Sequence, residues 1–197
     1  MLEDMTVPVS GQNPNYEGVM GMAQKTAAGL GLEKREGLRL SLLAEETLSL
    51  IRSLSGAFDG HVSFLPGSHD GAYIIKLDIK TNMTLEKRDE ILALSRSGKN
   101  EATQGILGKI RRMFEICLYP MQASEDSEVV VLPGMEDVSP SDYVIPLWTL
   151  SNYRKEARNE QEKDELEKSI LASLADDVRV SVFASHVVME IERSVKA

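Results

Sequence analysis

The sequence predicts an α/β (α+β) protein, a two-layer sandwich with helices on one face of a mixed, mostly antiparallel sheet. Three observations lead there. The segment from Leu38 to Leu54, LRLSLLAEETLSLIRSL, is amphipathic at helical period: Leu40, Leu43, Thr47, Leu50, Ile51 and Leu54 share one side, and Glu45, Ser49 and Arg52 the other. In the segment Ala72–Lys80, Ile75, Leu77 and Ile79 alternate with Lys76, Asp78 and Lys80, the period of a half-buried strand. The element order is strand, helix, long helix, hairpin, two helices, excursion, helix, hairpin. Helices grouped between antiparallel strands pack on one sheet face.

The elements follow in chain order. Met5–Val9 reads as a strand, and Pro8, with no backbone N–H to give, makes it an edge. Asn15–Gly29 reads as a helix with Val19, Ala23 and Thr26 on one side and Gly29–Leu30–Gly31 as its stop. The long helix ends at Ser55–Gly56. His61–Leu65 and Ala72–Lys80 form a hairpin around the turn Pro66–Gly71. A helix over Leu85–Ser95, a loop over Arg96–Asn100 and a helix over Glu101–Tyr119 come next. Pro120–Pro146 carries Pro133, Pro140, acidic residues and one short apolar run, Val129–Leu132. It predicts an insertion or loop excursion, about 120–150, within a single domain of 1–197. Ser151–Ala175 reads as one helix in two halves. Ten of the fourteen residues from Arg154 to Glu167 are charged, so the first half is expected to be solvated. Leu166, Ile170, Leu171 and Leu174 are expected to dock the second. Val178–Phe183 and Val187–Ile191 alternate as a closing hairpin.

Composition narrows function. Apolar residues make up 42% and charged residues 27%, ordinary for a globular chain. A net charge of −9 argues against nucleic acid as a partner, and the strip Lys109, Arg111, Arg112 does not reverse that. No apolar run approaches the roughly 20 residues of a membrane span. A single cysteine, Cys117, excludes an internal disulfide and fits a reducing, cytoplasmic setting. Cys117 itself reads as a buried thiol. His61, His69 and His186 are scattered, without metal-site spacing.

The strand TVPVS, the helix after it, the turn GLGL and the helix LRLSLLAEETLSLI resemble the start of the histidine-kinase-like ATPase domain, the Bergerat or GHKL fold. Within it, the chain is similar to the anti-sigma-factor serine kinase branch. The resemblance spans roughly Met5–Glu115 and resumes at Asp177–Glu192. It implies roles. Glu45 stands where the family's catalytic base activates the attacking hydroxyl or water. Ser49, four residues on, stands where an Asn helps hold Mg²⁺, and a hydroxyl offers one weak oxygen there. Asp78 stands where an Asp hydrogen-bonds adenine, but Lys80 and Asn82 fill the glycine positions beside it. Gly98, Lys99, Gly105 and Gly108 stand in the glycine-rich loop that cradles phosphates before a helix.

Taken without the resemblance, Glu45 is a solvated helix residue beside Glu46, Asp78 an outward strand residue, and the glycine loop a helix-capping loop. The reading expected from all of this is a cytoplasmic bacterial regulatory protein. It has an ATPase-like fold, weak or lost binding of ATP and Mg²⁺, and a protein partner such as a sigma factor or other regulator, with a homodimer as a further expectation. One alternative is an active ATP-dependent serine kinase. Another is a small-molecule-binding α/β domain outside the family.

Overall fold

A computed structural model describes residues 6–69, 71–81, 105–118, 145–157, 160–183 and 185–194. Six strands make one sheet: β1 (Thr6–Ser10), β2 (Asp59–Pro66), β3 (Tyr73–Lys80), β4 (Ile145–Thr149), β5 (Asp177–Val182) and β6 (His186–Arg193). Their spatial order is β1-β2-β3-β6-β5-β4, and each of the five pairings is antiparallel. The parallel pairing that a mixed sheet allows does not occur among the described strands. The helices are α1 (Tyr16–Gly29), α2 (Lys34–Ser53), α3 (Gly105–Leu118), α4 (Leu150–Glu156), α5 (Glu160–Lys168) and α6 (Ile170–Leu174). They cover one sheet face, as expected. The predicted helix Leu85–Ser95, the loop Arg96–Asn100, residues 101–104 and 119 of the predicted helix Glu101–Tyr119, and Pro120 to Val144 of the excursion lie outside the described residues.

The core forms where the two periodicities meet. Ile75, Leu77 and Ile79 of β3, Val178, Val180 and Val182 of β5, and Val187, Met189 and Ile191 of β6 are all buried. Facing them, α2 buries Leu40, Leu43, Ala44, Leu48, Leu50 and Ile51. Each Leu or Ile so buried contributes about 1.5–3 kcal/mol. Thr47, also buried, donates its hydroxyl to the Leu43 carbonyl at 3.0 Å, so the stripe carries no orphaned group there. The alternate residues of β3 and β5, among them Lys76, Asp78 and Arg179, point to the other sheet face, which is polar as an open antiparallel face should be.

The chain's punctuation works as read. Asn15 caps α1 through Oδ1, which accepts from the Gly18 N–H. Gly31, at φ 62°, ends that helix: its N–H reaches the Ala28 carbonyl and the Leu32 N–H the Ala27 carbonyl, a Schellman closure. Pro8 sits on edge strand β1, opposite His61. The other edge strand, β4, carries Pro146 and a register shift between Pro146 and Trp148, which blunts that edge too.

Three features depart from expectation. β4 is a strand where only excursion and connector were read. The helix α2 starts at Lys34, four residues before the apolar stripe, because its first turn buries the charged Glu36. Periodicity does not count a buried carboxylate. The segment Ser151–Ala175 is three short helices rather than one. Thr149 caps α4 and Ser169 caps α6, each hydroxyl accepting a backbone N–H, and each new cap resets the helical phase. So α5 has no fully buried residue, while Leu166 and Leu174 pack partly buried on the core and Leu171 is buried, as read, yet Ile170 is 42% exposed. Arg154, counted among the solvated charges, donates to the carbonyls of Ala172, Ala175 and Asp176 at 2.7, 3.1 and 2.6 Å. It thereby satisfies the open C-terminal carbonyls of α6.

Candidate functional site: an acidic cleft beside α3

A cleft of about 440 Å³ opens where α2, the first turn of α3, α5 and the start of α6 converge. Its apolar wall is Ile106, Leu107 and Ile170; its polar wall is Glu46, Gln161, Asp164, Glu165, Lys168 and Ser169. Gly105 lies at the mouth with φ 57°, a conformation glycine reaches without strain. The N-terminal end of α3 brings a partial positive charge there.

Behind the cleft, a hydrogen-bonded chain fixes one of its carboxylates. Lys109 Nζ donates to Tyr153 Oη at 2.9 Å, and the Tyr153 hydroxyl donates to Glu165 Oε2 at 2.8 Å. Lys109 Nζ lies 3.5 Å from that same oxygen and 4.0 Å from the Tyr153 ring centroid. Trp148 packs on Tyr153 with ring centroids 6.0 Å apart. Burial, then the bond to Glu165, push the Tyr153 hydroxyl far above its ordinary range, so it stays a donor at any physiological pH. Across the cleft, burial and then neighbouring Glu45 raise the pKa of Glu46. No ion pair to Glu46 is formed among the described residues. Asp164 pairs with Lys168 at 2.6 Å, and both are largely exposed.

Of the residues the resemblance singled out, only Gly105 lines this cleft. Gly108 lies one turn further along α3. Glu45 is exposed on α2, its Oε1 3.5 Å from the Tyr16 hydroxyl, with Arg52 over the Tyr16 ring at 5.8 Å. Ser49 is exposed on the same helix. Asp78 lies on the open sheet face, 3.6 Å from Lys76 of its own strand, with the core layer between it and α2. Lys80 is exposed at the end of β3. Gly98, Lys99 and Asn82 lie outside the described residues. The described members are thus spread over α2, α3 and the open face of β3. Among the described residues no group of three His, Cys, Asp or Glu side chains is placed to hold a metal ion.

Sequence reasoning passed over Glu46, Tyr153 and Glu165, and read Lys109 only as part of a basic strip. That strip is broken up by pairing, since Arg111 holds Glu115 at 2.8 Å. Glu45 and Glu46 are adjacent letters of one helix, and only the position of α3 and α5 tells them apart. Comparison with known proteins found no match among family models, curated proteins or solved structures. No helix among the described residues is long and apolar enough to cross a membrane.

Proposed function

We propose that this protein is a regulatory binding module on an ATPase-like frame, acting through a protein partner, with binding of ATP and Mg²⁺ weak or lost. The observation that carries the reading is the charge of the cleft. Its lining holds three carboxylates, Glu46, Asp164 and Glu165, against the ammonium of Lys168, with that of Lys109 behind Glu165, so the balance stays negative. A helix N-terminus favours an anion by about 0.3–1 kcal/mol. One carboxylate about 4 Å from a phosphate charge opposes it by roughly 4 kcal/mol at an effective dielectric of 20. Repulsion wins for a triphosphate. The serine-kinase alternative, with Glu45 as base, draws on one observation, that α3 turns its glycine-led N-terminus into a cleft beside α2.

Isothermal titration of the protein with ATP and Mg²⁺ separates the two. The expected outcome is no heat, or a dissociation constant near millimolar. A ligand at 100 times its dissociation constant adds about 2.7 kcal/mol of stability, so a thermal scan is a second readout. Micromolar affinity would overturn the proposal and return Glu45 to the role of base.

A further inference from the structure

We infer that the cleft beside α3 is the seat for a basic segment of the partner protein, an arginine or lysine flanked by apolar residues. This rests on the binding-module reading and names the chemistry of its partner. The cleft is two-sided. Leu107 and the 42%-exposed Ile170 offer an apolar wall to the alkyl stem of a long cation and to its neighbours. Glu46 offers the counter-charge, beside Asp164 and Glu165, which already face Lys168 and Lys109. About 440 Å³ is more than one side chain fills and suits a short segment.

Two of the carboxylates are poised differently. Glu165 is held by Lys109 and Tyr153 through Oε2 alone, so its position is set while Oε1 takes no part in those bonds. Glu46 is half-buried and makes no ion pair among the described residues. A carboxylate in that setting gains when an incoming cation replaces the water it has lost. The chain's charge of −9 adds long-range attraction for a basic partner. The opposite sheet face offers no carboxylate like Glu46 in an apolar-walled cleft: there Arg179 pairs Glu192 at 2.6 Å and Lys76 pairs Asp78.

The test uses the full chain, amide-resolved NMR and two synthetic peptides, one alternating leucine and arginine, the other leucine and glutamate. The arginine peptide is expected to shift the amides of Ile106, Leu107 and Ile170, and to weaken at least tenfold in Glu46→Lys. Glu46→Gln should weaken it about threefold, and Glu192→Lys on the far face should leave it unchanged. Amide dispersion reports whether each variant is folded. An equal response to the glutamate peptide, shifts confined to the sheet face, or silence at millimolar arginine peptide overturns the inference. ATP with Mg²⁺ shifting the same amides at micromolar concentration overturns the binding-module reading instead. Silence from both ligands overturns the basic-segment inference alone.

Discussion

Two tyrosines sit in two charged networks, and burial separates their fates. Tyr153 stands behind the cleft with its hydroxyl satisfied, accepting from Lys109 and donating to Glu165. Tyr73 stands at the other extreme. It is completely buried at the start of β3, and its hydroxyl has no hydrogen-bond partner among the described residues. Around it lie Glu36, Arg193, Arg39 and Asp176. Arg39 pairs Glu36, and Arg193 reaches Glu36 at 3.5 Å and Asp176 at 3.3 Å. Burial first, then Glu36, hold the Tyr73 hydroxyl protonated far beyond its ordinary range. The comparison teaches that similar residues do different things. The Tyr73 network ties α2 to the end of β6 and closes one end of the core. The Tyr153 network shapes an accessible wall and leaves a carboxylate facing the opening.

The largest effect is expected from Arg193→Met, which removes the cation shared by Glu36 and Asp176. Breaking a buried pair costs about 3–5 kcal/mol. Arg39 still serves Glu36, so a loss of roughly 2–3 kcal/mol is expected in urea unfolding; no loss would show that the network is solvated in solution.

Tyr153→Phe comes next. It deletes two hydrogen bonds to charged groups at a part-exposed site, and about 1 kcal/mol is expected. The same change at Tyr73 should go the other way. Removing an unpartnered buried hydroxyl is neutral or stabilising, by up to about 1 kcal/mol. If Tyr73→Phe destabilises as much as Tyr153→Phe, the contrast fails and the Tyr73 hydroxyl is hydrogen-bonded, by an ordered water for instance.

The smallest effect is a pH dependence at Glu46. Its folded-state pKa is raised, so the neutral acid favours folding and the carboxylate opposes it. The favourable contribution is complete below the unfolded value of about 4.3 and is lost as pH rises through the folded value. Glu46→Gln removes that loss. The variant should match wild type in acid and become the more stable of the two as pH rises above about 4.3, as read by melting temperature. A stability difference independent of pH would mean that Glu46 is better solvated than its setting implies.

Much of the fold was legible because it depends on local chemistry. The α2 stripe, the alternation of β3 and β6, the stop at Gly31 and the edge position of β1 each follow from side chains within a few residues of one another. β4 was hidden for the converse reason. It is five residues long, contains Pro146, and exists as a strand only because β5, some thirty residues later, supplies its hydrogen-bond partners. Glu36 was hidden too, since a carboxylate in the first turn of a helix reads as solvated until Arg193 arrives from the far end of the chain.

The candidate site divides in the same way. The sequence by itself determined that α2 shows one polar side, that a helix covering Gly105–Leu118 precedes the excursion, and that the chain is strongly acidic. Tertiary structure alone decided that Glu46 rather than Glu45 meets that helix, that Glu165 lines the cleft with Tyr153 behind it, and that Asp78 lies on the other side of the sheet. The physical reason is that periodicity reports which side of an element meets apolar surface. Which other element lies there is settled only when distant segments pack.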